Sequence, residues 1–233
     1  FLICIFAGLL RRPLTGRPAS GVPRALVLAP TRELAIQIHN DALALGKYCA
    51  LRTLVVYGGM DYQKQKVQAG QGAVDLLVAT PGRLLDFCQS GLLRLNKVEI
   101  LIIDEADRML DMGFIPDVKR IIYSTPPKQK RQTMIFSATL SPDVLRLAAA
   151  WMVNPVKVEV EPEKVTLDTT EQKIFSVSAR DKPALLLHLL QDPAAGRVLV
   201  FCNRRDGVDS LARKISRHGV ACGMLSGDVP QQK

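Results

Sequence analysis

Short apolar runs alternate with amphipathic segments along most of the chain. The runs are rich in β-branched residues and predict strands at Ala25–Ala29, Leu51–Tyr57, Val74–Ala79, Glu99–Ile103, Thr133–Phe136 and Val156–Val160. The segments between them predict helices at Thr31–Leu45, Tyr62–Ala69, Arg83–Gln89, Pro116–Tyr123 and Asp143–Trp151. Runs that are apolar at every position indicate strands buried on both faces. The alternation therefore predicts an α/β protein with a doubly wound parallel sheet.

The pattern changes after residue 160. Residues 161–172 are polar and follow neither period, so we predict a linker between a first unit, 1–160, and a second unit, 173–233. Alternation then resumes, with strands predicted at Lys173–Val177, Arg197–Cys202 and Val220–Leu225 and helices at Lys182–Gln191 and Gly207–Arg217. The second unit is therefore predicted to be about half of a similar domain.

The first ten residues, Phe1–Leu10, are apolar and predict a helix that is buried on most sides. This run is shorter than the roughly 20 residues that span a bilayer, and no positive charge precedes it as in a secretory signal. We therefore expect no membrane partner. Neither end of the chain looks like a natural terminus, and we expect both ends to be cuts in a longer protein.

Composition narrows the class of protein. Of the 233 residues, 48% are hydrophobic and 23% charged, which excludes a disordered chain. Lys and Arg number 31 against 22 Asp and Glu, and residues 1–150 hold 19 of these basic and 12 of these acidic side chains. The excess favours a polyanionic partner, nucleic acid before an anionic membrane. The five scattered cysteines indicate reduced, structural thiols of a cytoplasmic protein.

The strongest chemical signal is the acidic run Asp104-Glu105-Ala106-Asp107, which follows an apolar strand. Ligands of open α/β sheets bind at the carboxyl ends of the strands. In nucleoside-triphosphate hydrolases an aspartate at this position helps to hold Mg²⁺, and a neighbouring carboxylate can orient the attacking water. The run is also compatible with an ordinary acidic first turn of a helix.

The same run resembles the signature of the DEAD-box ATP-dependent RNA helicases, and further stretches match that family in the same order. They are Pro30-Thr31-Arg32-Glu33-Leu34-Ala35, Gly58-Gly59, Thr80-Pro81-Gly82-Arg83, Ser137-Ala138-Thr139, Val200-Phe201-Cys202-Asn203 and Ser226-Gly227-Asp228. The stretch Leu225–Gln232 suggests the bacterial, RhlB-type subgroup, whose members work in RNA decay. The resemblance implies a RecA-like ATP-binding lobe that lacks its first strand, and about half of a second RecA-like lobe.

The resemblance also implies roles for the acidic run and for the Ser-Ala-Thr stretch. Asp104 would hold Mg²⁺ through water, and Glu105 would position the water that attacks ATP. Asp107 would bond to the hydroxyls of Ser137 and Thr139, which would couple the nucleotide state to the grip on RNA. ATP and Mg²⁺ are therefore the expected cofactors.

Further positions are implied to bind RNA. They are Pro30, Thr31, Arg32, Gly58, Gly59, Thr80, Pro81, Gly82, Arg83, Asn203 and Gly227. Helix N-termini that follow strands offer unpaired N–H groups and a positive dipole end to phosphate, and arginine can pair with it. Each stretch taken alone is equally compatible with an ordinary strand–helix turn. Contacts of this kind go to the RNA backbone and do not read the base sequence.

Two parts of the family pattern are missing. No G-x-x-x-x-G-K-[ST] loop is present, so the phosphate cradle and its lysine are absent, and the chain ends before the arginine-finger motif of the second lobe. We therefore expect that the 233-residue chain by itself has no measurable ATPase activity and that its parent protein does.

Three kinds of function fit these observations to different degrees. The first is a fragment of an RNA helicase that separates short duplexes with ATP and works in an RNA-decay complex. The second is a non-catalytic RNA-binding or scaffold protein derived from a helicase. The third is a DNA-directed helicase. Retention of Asp104, Glu105 and Ser137–Thr139 together disfavours the second, and the form of the acidic run with Thr80–Arg83 favours RNA over DNA.

Overall fold

The computed structural model describes residues 1–13, 19–59, 61–160 and 171–226. The chain divides into two compact units, Phe1–Glu159 and Val160–Lys233. The predicted linker, 161–172, lies mostly outside the described residues. Within these residues no helix combines the length and the apolar character that a membrane span requires.

The first unit is built on a five-stranded parallel sheet in the order β2-β3-β1-β4-β5. Its strands are β1 Ala25–Leu28, β2 Thr53–Val56, β3 Leu76–Ala79, β4 Ile100–Ile103 and β5 Gln132–Ile135. Its helices are α1 Leu2–Arg11, α2 Arg32–Leu45, α3 Tyr62–Gly70, α4 Pro81–Gln89, α5 Ala106–Asp111, α6 Ile115–Tyr123 and α7 Pro142–Trp151, with a 3₁₀ turn at Lys128–Lys130. The prediction of a parallel sheet between helices is confirmed.

Two separate cores lie on the two faces of this sheet. On one face α1 and α2 bury side chains such as Ile5 and Ile38 against Val27 and Ile102. On the other face the helices after β3 and β4 bury side chains such as Phe87 against the opposite side chains of the same strands. The three central strands are buried at every position, which explains their unbroken apolar sequences. The helix α1 buries only one face, in contrast to the prediction, and leaves Ile3 exposed.

Parallel strands point the same way, so the sheet has two chemically different edges. We call the edge where the strands begin the amino edge and the edge where they end the carboxyl edge. At the amino edge, a buried ion pair joins the residues before β1 and β4. Arg24 Nε donates to Glu99 Oε1 at 2.7 Å, and Arg24 Nη2 donates to the carbonyl oxygen of Arg12, which follows α1, at 2.6 Å. This pair ties the end of α1 to the centre of the sheet.

Several predicted strands are absent among the described residues. The prediction of a strand at Val156–Val160 is wrong, because that segment has no ladder partner and its valines are exposed. In residues 171–226 the second unit contains α8 Lys182–Leu190 and α9 Arg205–Arg217 but no strand. The segments 197–202 and 220–225 line an apolar cavity of about 700 Å³ beside α9 instead. The organisation of the second unit as half of an α/β lobe stays a prediction.

Candidate functional site

The predicted site residues of the first unit follow different strands and meet at the carboxyl edge. Pro30–Arg32 come after β1, Gly58 and Gly59 after β2, Thr80–Arg83 after β3, Asp104–Asp107 after β4 and Ser137–Thr139 after β5. Every strand of the sheet thus contributes one of the predicted stretches. Asn203 lies in the second unit, two residues before α9, and Gly227 lies outside the described residues.

Asp104 is the first residue after the buried strand β4, and its carboxylate is partly withdrawn from water. Its Oδ1 accepts a hydrogen bond from the backbone N–H of Glu105 at 3.0 Å. Burial raises the pKa of Asp104 above its usual range; the hydrogen bond from Glu105 opposes this effect, and the neighbouring charge of Glu105 adds to it. The carboxylate at this position is therefore less stable in its charged form than an exposed one.

The raised pKa of Asp104 leads to a prediction about the free energy of unfolding and its dependence on pH. A group whose pKa is raised by folding contributes stability below its unfolded pKa and loses that contribution as the pH rises through the folded pKa. Asp104→Asn should therefore stabilise the chain at pH 7, by under about 1 kcal/mol. The gain should shrink as the pH falls and Asp104 takes up its proton, which it does at a higher pH than an exposed aspartate. Thermal unfolding at a series of pH values measures both effects.

Asp107→Asn is the matched control, because folding lowers the pKa of Asp107. This variant should destabilise the chain at pH 7, and its effect should vanish in acid. A destabilising Asp104→Asn at pH 7 would contradict the assignment of Asp104 as a desolvated carboxylate.

Glu105, the residue immediately before α5, has a left-handed backbone with φ 47° and ψ 54°. This conformation costs a non-glycine residue roughly 1–3 kcal/mol, and such strain is concentrated at functional sites. The Glu105 carboxylate is partly exposed and accepts a hydrogen bond from Arg108 Nη1 at 3.2 Å, one turn along α5. The strained backbone and the ion pair together determine the direction of this carboxylate.

Asp107 links the acidic run to the stretch after β5. Its Oδ2 accepts hydrogen bonds from the Thr139 backbone N–H at 3.0 Å and from the Thr139 hydroxyl at 3.1 Å. The Ser137 hydroxyl accepts from the backbone N–H of Asp107 at 3.2 Å and donates to the Thr139 carbonyl at 2.8 Å. Partial burial opposes ionisation of Asp107, but the hydrogen bonds, first that of the Thr139 hydroxyl, hold its pKa below the usual range.

The predicted RNA-binding stretches also contact one another. Thr31 caps α2, because its hydroxyl accepts from the backbone N–H of Leu34 at 3.3 Å. Gly59 has a φ of +80°, and a Cβ there would lie 2.8 Å from Arg32 Nη1, so the arginine side chain lies directly against this glycine. Gly58 N donates to the Thr80 hydroxyl at 3.4 Å. The loops after β1, β2 and β3 thus form one continuous surface.

Arg83 is packed more deeply than the sequence suggests. Its side chain is 11% exposed, and its guanidinium lies over the rings of Tyr62 and Phe87, 5.4 and 5.9 Å from their centres. Pro81 occupies the first turn of α4 and is buried, whereas the position of Gly82 is exposed and open. The contact between Arg83 and Tyr62 joins the starts of α3 and α4.

Two supporting residues were not found from the sequence. Arg108 pairs with Glu105, and the buried Gln65 fixes the residue before Gly58, since its side-chain amide exchanges hydrogen bonds with the backbone N–H and carbonyl of Tyr57 at 2.9 and 3.0 Å. Gln65 lies in a polar helical segment in which nothing distinguishes it from its neighbours. For Arg108 the sequence offered one signal, its position three residues after Glu105, which is the spacing of an ion pair on one face of a helix. Among the described residues, no group of three or more His, Cys, Asp or Glu side chains closes around a single point.

Comparison with known proteins identifies the family to which this chain belongs. Residues 1–147 match the family model described as DEAD/DEAH box helicase, and the chain belongs to that family. The chain is 50% identical over all 233 residues to the ATP-dependent RNA helicase RhlB of Pseudomonas aeruginosa strain UCBPP-PA14 and covers 59% of that protein. The predicted resemblance to bacterial RhlB-type helicases is confirmed.

Two further relatives extend the comparison. The chain is 47% identical to the ATP-dependent RNA helicase RhlB of Xanthomonas axonopodis pv. citri strain 306, of which it covers 41%. The crystal structure of the yeast DEAD-box splicing factor Prp28 has a TM-score of 0.62 and 29% identity, over 93% of this chain and 50% of Prp28. The chain therefore has the RecA-like fold of this family and spans less than two thirds of the length of these bacterial relatives.

Proposed function

We propose that this chain is part of an ATP-dependent RNA helicase that binds the backbone of single-stranded RNA and separates short duplexes locally by hydrolysing ATP. One observation carries the proposal. The hydrogen bonds between Asp107 and Thr139 join the acidic run after β4 to the stretch after β5, at the edge where the predicted RNA-binding loops also lie. A protein that only bound RNA would have no need for this link between a nucleotide site and the rest of the edge.

The donor chemistry fits Mg²⁺ with ATP. Carboxylate oxygens suit this hard cation, which usually retains several waters, and the partly desolvated Asp104 is a carboxylate whose charge a cation would stabilise. Asp104 would hold the ion through water, and the ion would neutralise charge on the phosphates of ATP. Glu105, directed by Arg108, would orient the water that attacks ATP. Asp107 would transmit the state of this site to Ser137 and Thr139.

RNA would lie along the loops after β1, β2 and β3. The N-termini of α2 and α4 direct backbone N–H groups to this surface, and Arg32 offers a guanidinium beside Gly59. We assign Pro30, Thr31, Thr80, Pro81, Gly82 and Arg83 to the same surface, and Asn203 and Gly227 to the contribution of the second unit. The buried Arg83 would act there together with Tyr62, on which it stacks.

The proposal extends to the organisation of the protein. Residues 1–160 and 173–233 would belong to two helicase lobes, joined by the linker 161–172. Because the sequence lacks a phosphate-binding loop, the 233-residue chain alone would not turn over ATP. The scattered cysteines support a cytoplasmic protein, and the protein would work in an RNA-decay complex, as the resemblance of its sequence implies.

Arg32→Gln tests the RNA-binding part on the chain itself. We expect weaker binding of fluorescently labelled oligonucleotides of every base composition, because the lost contact is to phosphate. The slope of log affinity against log salt should flatten by about 0.7, the value for one contact to a single strand. The control is Arg146→Gln, an exposed arginine of α7. A loss confined to one RNA sequence, or equal effects of both variants, would contradict the proposal.

A further inference from the structure

The basic excess of the first unit does not lie at the carboxyl edge. In the loops of that edge and the first six residues of the helices that follow them, the cations are Arg32, Lys64, Lys66, Arg83, Arg108 and Arg146. The carboxylates of the same segments outnumber them and are Glu33, Asp61, Asp86, Asp104, Glu105, Asp107, Asp111 and Asp143. Since residues 1–150 nevertheless contain more Lys and Arg than Asp and Glu, their surplus of positive charge must lie elsewhere on the unit.

Much of the surplus lies at the amino edge, in the segments that precede β1, β4 and β5. We define the amino-edge patch by its exposed members, which are Arg11, Arg12, Arg94, Lys97, Tyr123 and Lys130. Contacts place these segments together. Arg12 contacts Arg24 before β1 and Glu99 before β4, and the backbone N–H of Arg94 donates to the carbonyl of Gly21 at 2.8 Å. Lys130 belongs to the 3₁₀ turn before β5, the neighbour of β4.

Few negative charges offset these cations. The carboxylate of Glu99 already pairs with the buried Arg24 at 2.7 Å and approaches Arg12 at 3.7 Å, and the Arg12 side chain remains 61% exposed. Further along the edge, Asp75 accepts a hydrogen bond from the backbone N–H of Arg52, whose guanidinium donates to three backbone carbonyls. The exposed cations of the patch therefore project a field that attracts anions from solution.

An exposed aromatic ring accompanies the positive charge. Tyr123 ends α6, the helix that leads to the turn before β5, and it is 85% exposed. Surfaces that bind single-stranded nucleic acid combine a basic track for the phosphates with aromatic rings on which bases stack. An acidic peptide would need the cations but has no base to place on the ring. The combination therefore favours a nucleic acid as the partner.

We propose that the amino-edge patch is a second RNA-binding surface, in which Arg11, Arg12, Arg94, Lys97 and Lys130 contact phosphates and Tyr123 stacks on a base. The inference rests on the proposed RNA binding at the carboxyl edge, which it extends. The strands are four residues long, so they rise only about 13 Å between the two edges. A single strand that leaves the carboxyl edge needs few nucleotides to reach the patch.

The test compares short and long RNA on the 233-residue chain. The variant Arg11→Gln, Arg94→Gln, Lys97→Gln and Lys130→Gln removes four exposed cations and leaves the bonded Arg12 and Arg24 in place. With oligouridine of about 30 nucleotides we expect roughly tenfold weaker binding or more, and a salt slope flatter by up to about 3, since each contact to a single strand contributes about 0.7. With oligouridine of about 6 nucleotides we expect the affinity of the variant to be unchanged, because an RNA of this length is contained within one binding site.

Tyr123→Ala should weaken binding of the long RNA by roughly fivefold or more and leave the salt slope unchanged, because stacking releases no counterions. The matched control neutralises four exposed lysines that lie outside the patch and outside the loops of the carboxyl edge, by Lys157→Gln, Lys173→Gln, Lys182→Gln and Lys214→Gln. It removes the same net charge and should affect the long RNA less than the patch variant.

The outcomes separate the two proposals. If Arg32→Gln weakens RNA binding and the patch variant behaves as the lysine control does, the second surface is overturned and the proposed function stands. If the patch variant loses affinity for polyglutamate but not for long RNA, the patch is a site for acidic protein and the inference is overturned. If neither Arg32→Gln nor the patch variant alters RNA binding, the proposed function fails as well.

Discussion

Glu105→Gln is expected to abolish RNA-stimulated ATP hydrolysis, with turnover at least about 100-fold lower, in a protein that joins this chain to a phosphate-binding loop and the remainder of a second lobe. The carboxylate of Glu105 is directed by the left-handed backbone at this residue and by its hydrogen bond to Arg108. Glutamine has nearly the same shape and retains the backbone conformation. It lacks the negative charge that, in the proposed function, orients the attacking water.

The measurement is steady-state ATPase with and without RNA, together with RNA binding of the same protein. RNA binding should be retained, because Glu105 does not belong to the loops after β1, β2 and β3. Asp111→Asn, at the end of α5, is the control for a lost acidic charge on the same helix and should leave turnover close to that of the parent. If the Glu105→Gln variant hydrolyses ATP as fast as the parent protein, the role proposed for Glu105 in orienting the attacking water is wrong. RNA-stimulated hydrolysis by the unextended 233-residue chain would contradict the expectation that it is inactive.

Arg24→Met is expected to produce the largest loss of stability, about 3 kcal/mol of the free energy of unfolding. The Arg24 side chain is only 6% exposed, and its guanidinium contacts both the Glu99 carboxylate and the Arg12 carbonyl. Methionine fills much of the same volume but leaves the partly buried Glu99 carboxylate without its closest cation. It also removes the donor that ties the end of α1 to the sheet.

Denaturant unfolding of the chain, followed by a probe of the first unit such as Trp151 fluorescence, measures this loss. A double variant, Arg24→Met with Glu99→Leu, separates charge from packing. Because it removes both members of the pair, it should recover most of the lost stability. If the double variant is as unstable as Arg24→Met alone, the effect comes from the packing of the methionine and the ion-pair explanation is wrong.

The sheet could be predicted from the sequence because its physical cause is local and repeated. Strands with helices on both faces are buried on both sides and must be apolar at every position. The residues of β1, β3 and β4 are all apolar and buried. The same logic located the carboxyl edge, since loops that follow parallel strands meet there. The helix α5 was not predicted from the sequence, because it has only six residues and begins within the acidic run, so no helical hydrophobic period is visible there. The hydrogen bond from the backbone N–H of Asp107 to the Ser137 hydroxyl could not be predicted from the sequence either.

Where a predicted element was wrong, the cause was the lack of a partner. The segments 156–160 and 197–202 have the β-branched composition of strands, but a strand exists only when a neighbour supplies its hydrogen bonds. Arg83 illustrates the same limit for a side chain. Its sequence context indicates a phosphate contact, whereas its packing between Tyr62 and Phe87 depends on α3, a helix that begins 21 residues earlier.

By itself the sequence determined the family, the parallel sheet and the residue types at its carboxyl edge, because these depend on local periodicity and on short motifs. Only the tertiary structure decided that Asp107 meets Thr139, that Arg108 directs Glu105 and that the positive charge gathers at the amino edge. Each of these arrangements joins residues from different strands or depends on the turn of a helix. The order of the strands in space, β2-β3-β1-β4-β5, is not their order in the chain, and that difference decides which charges become neighbours.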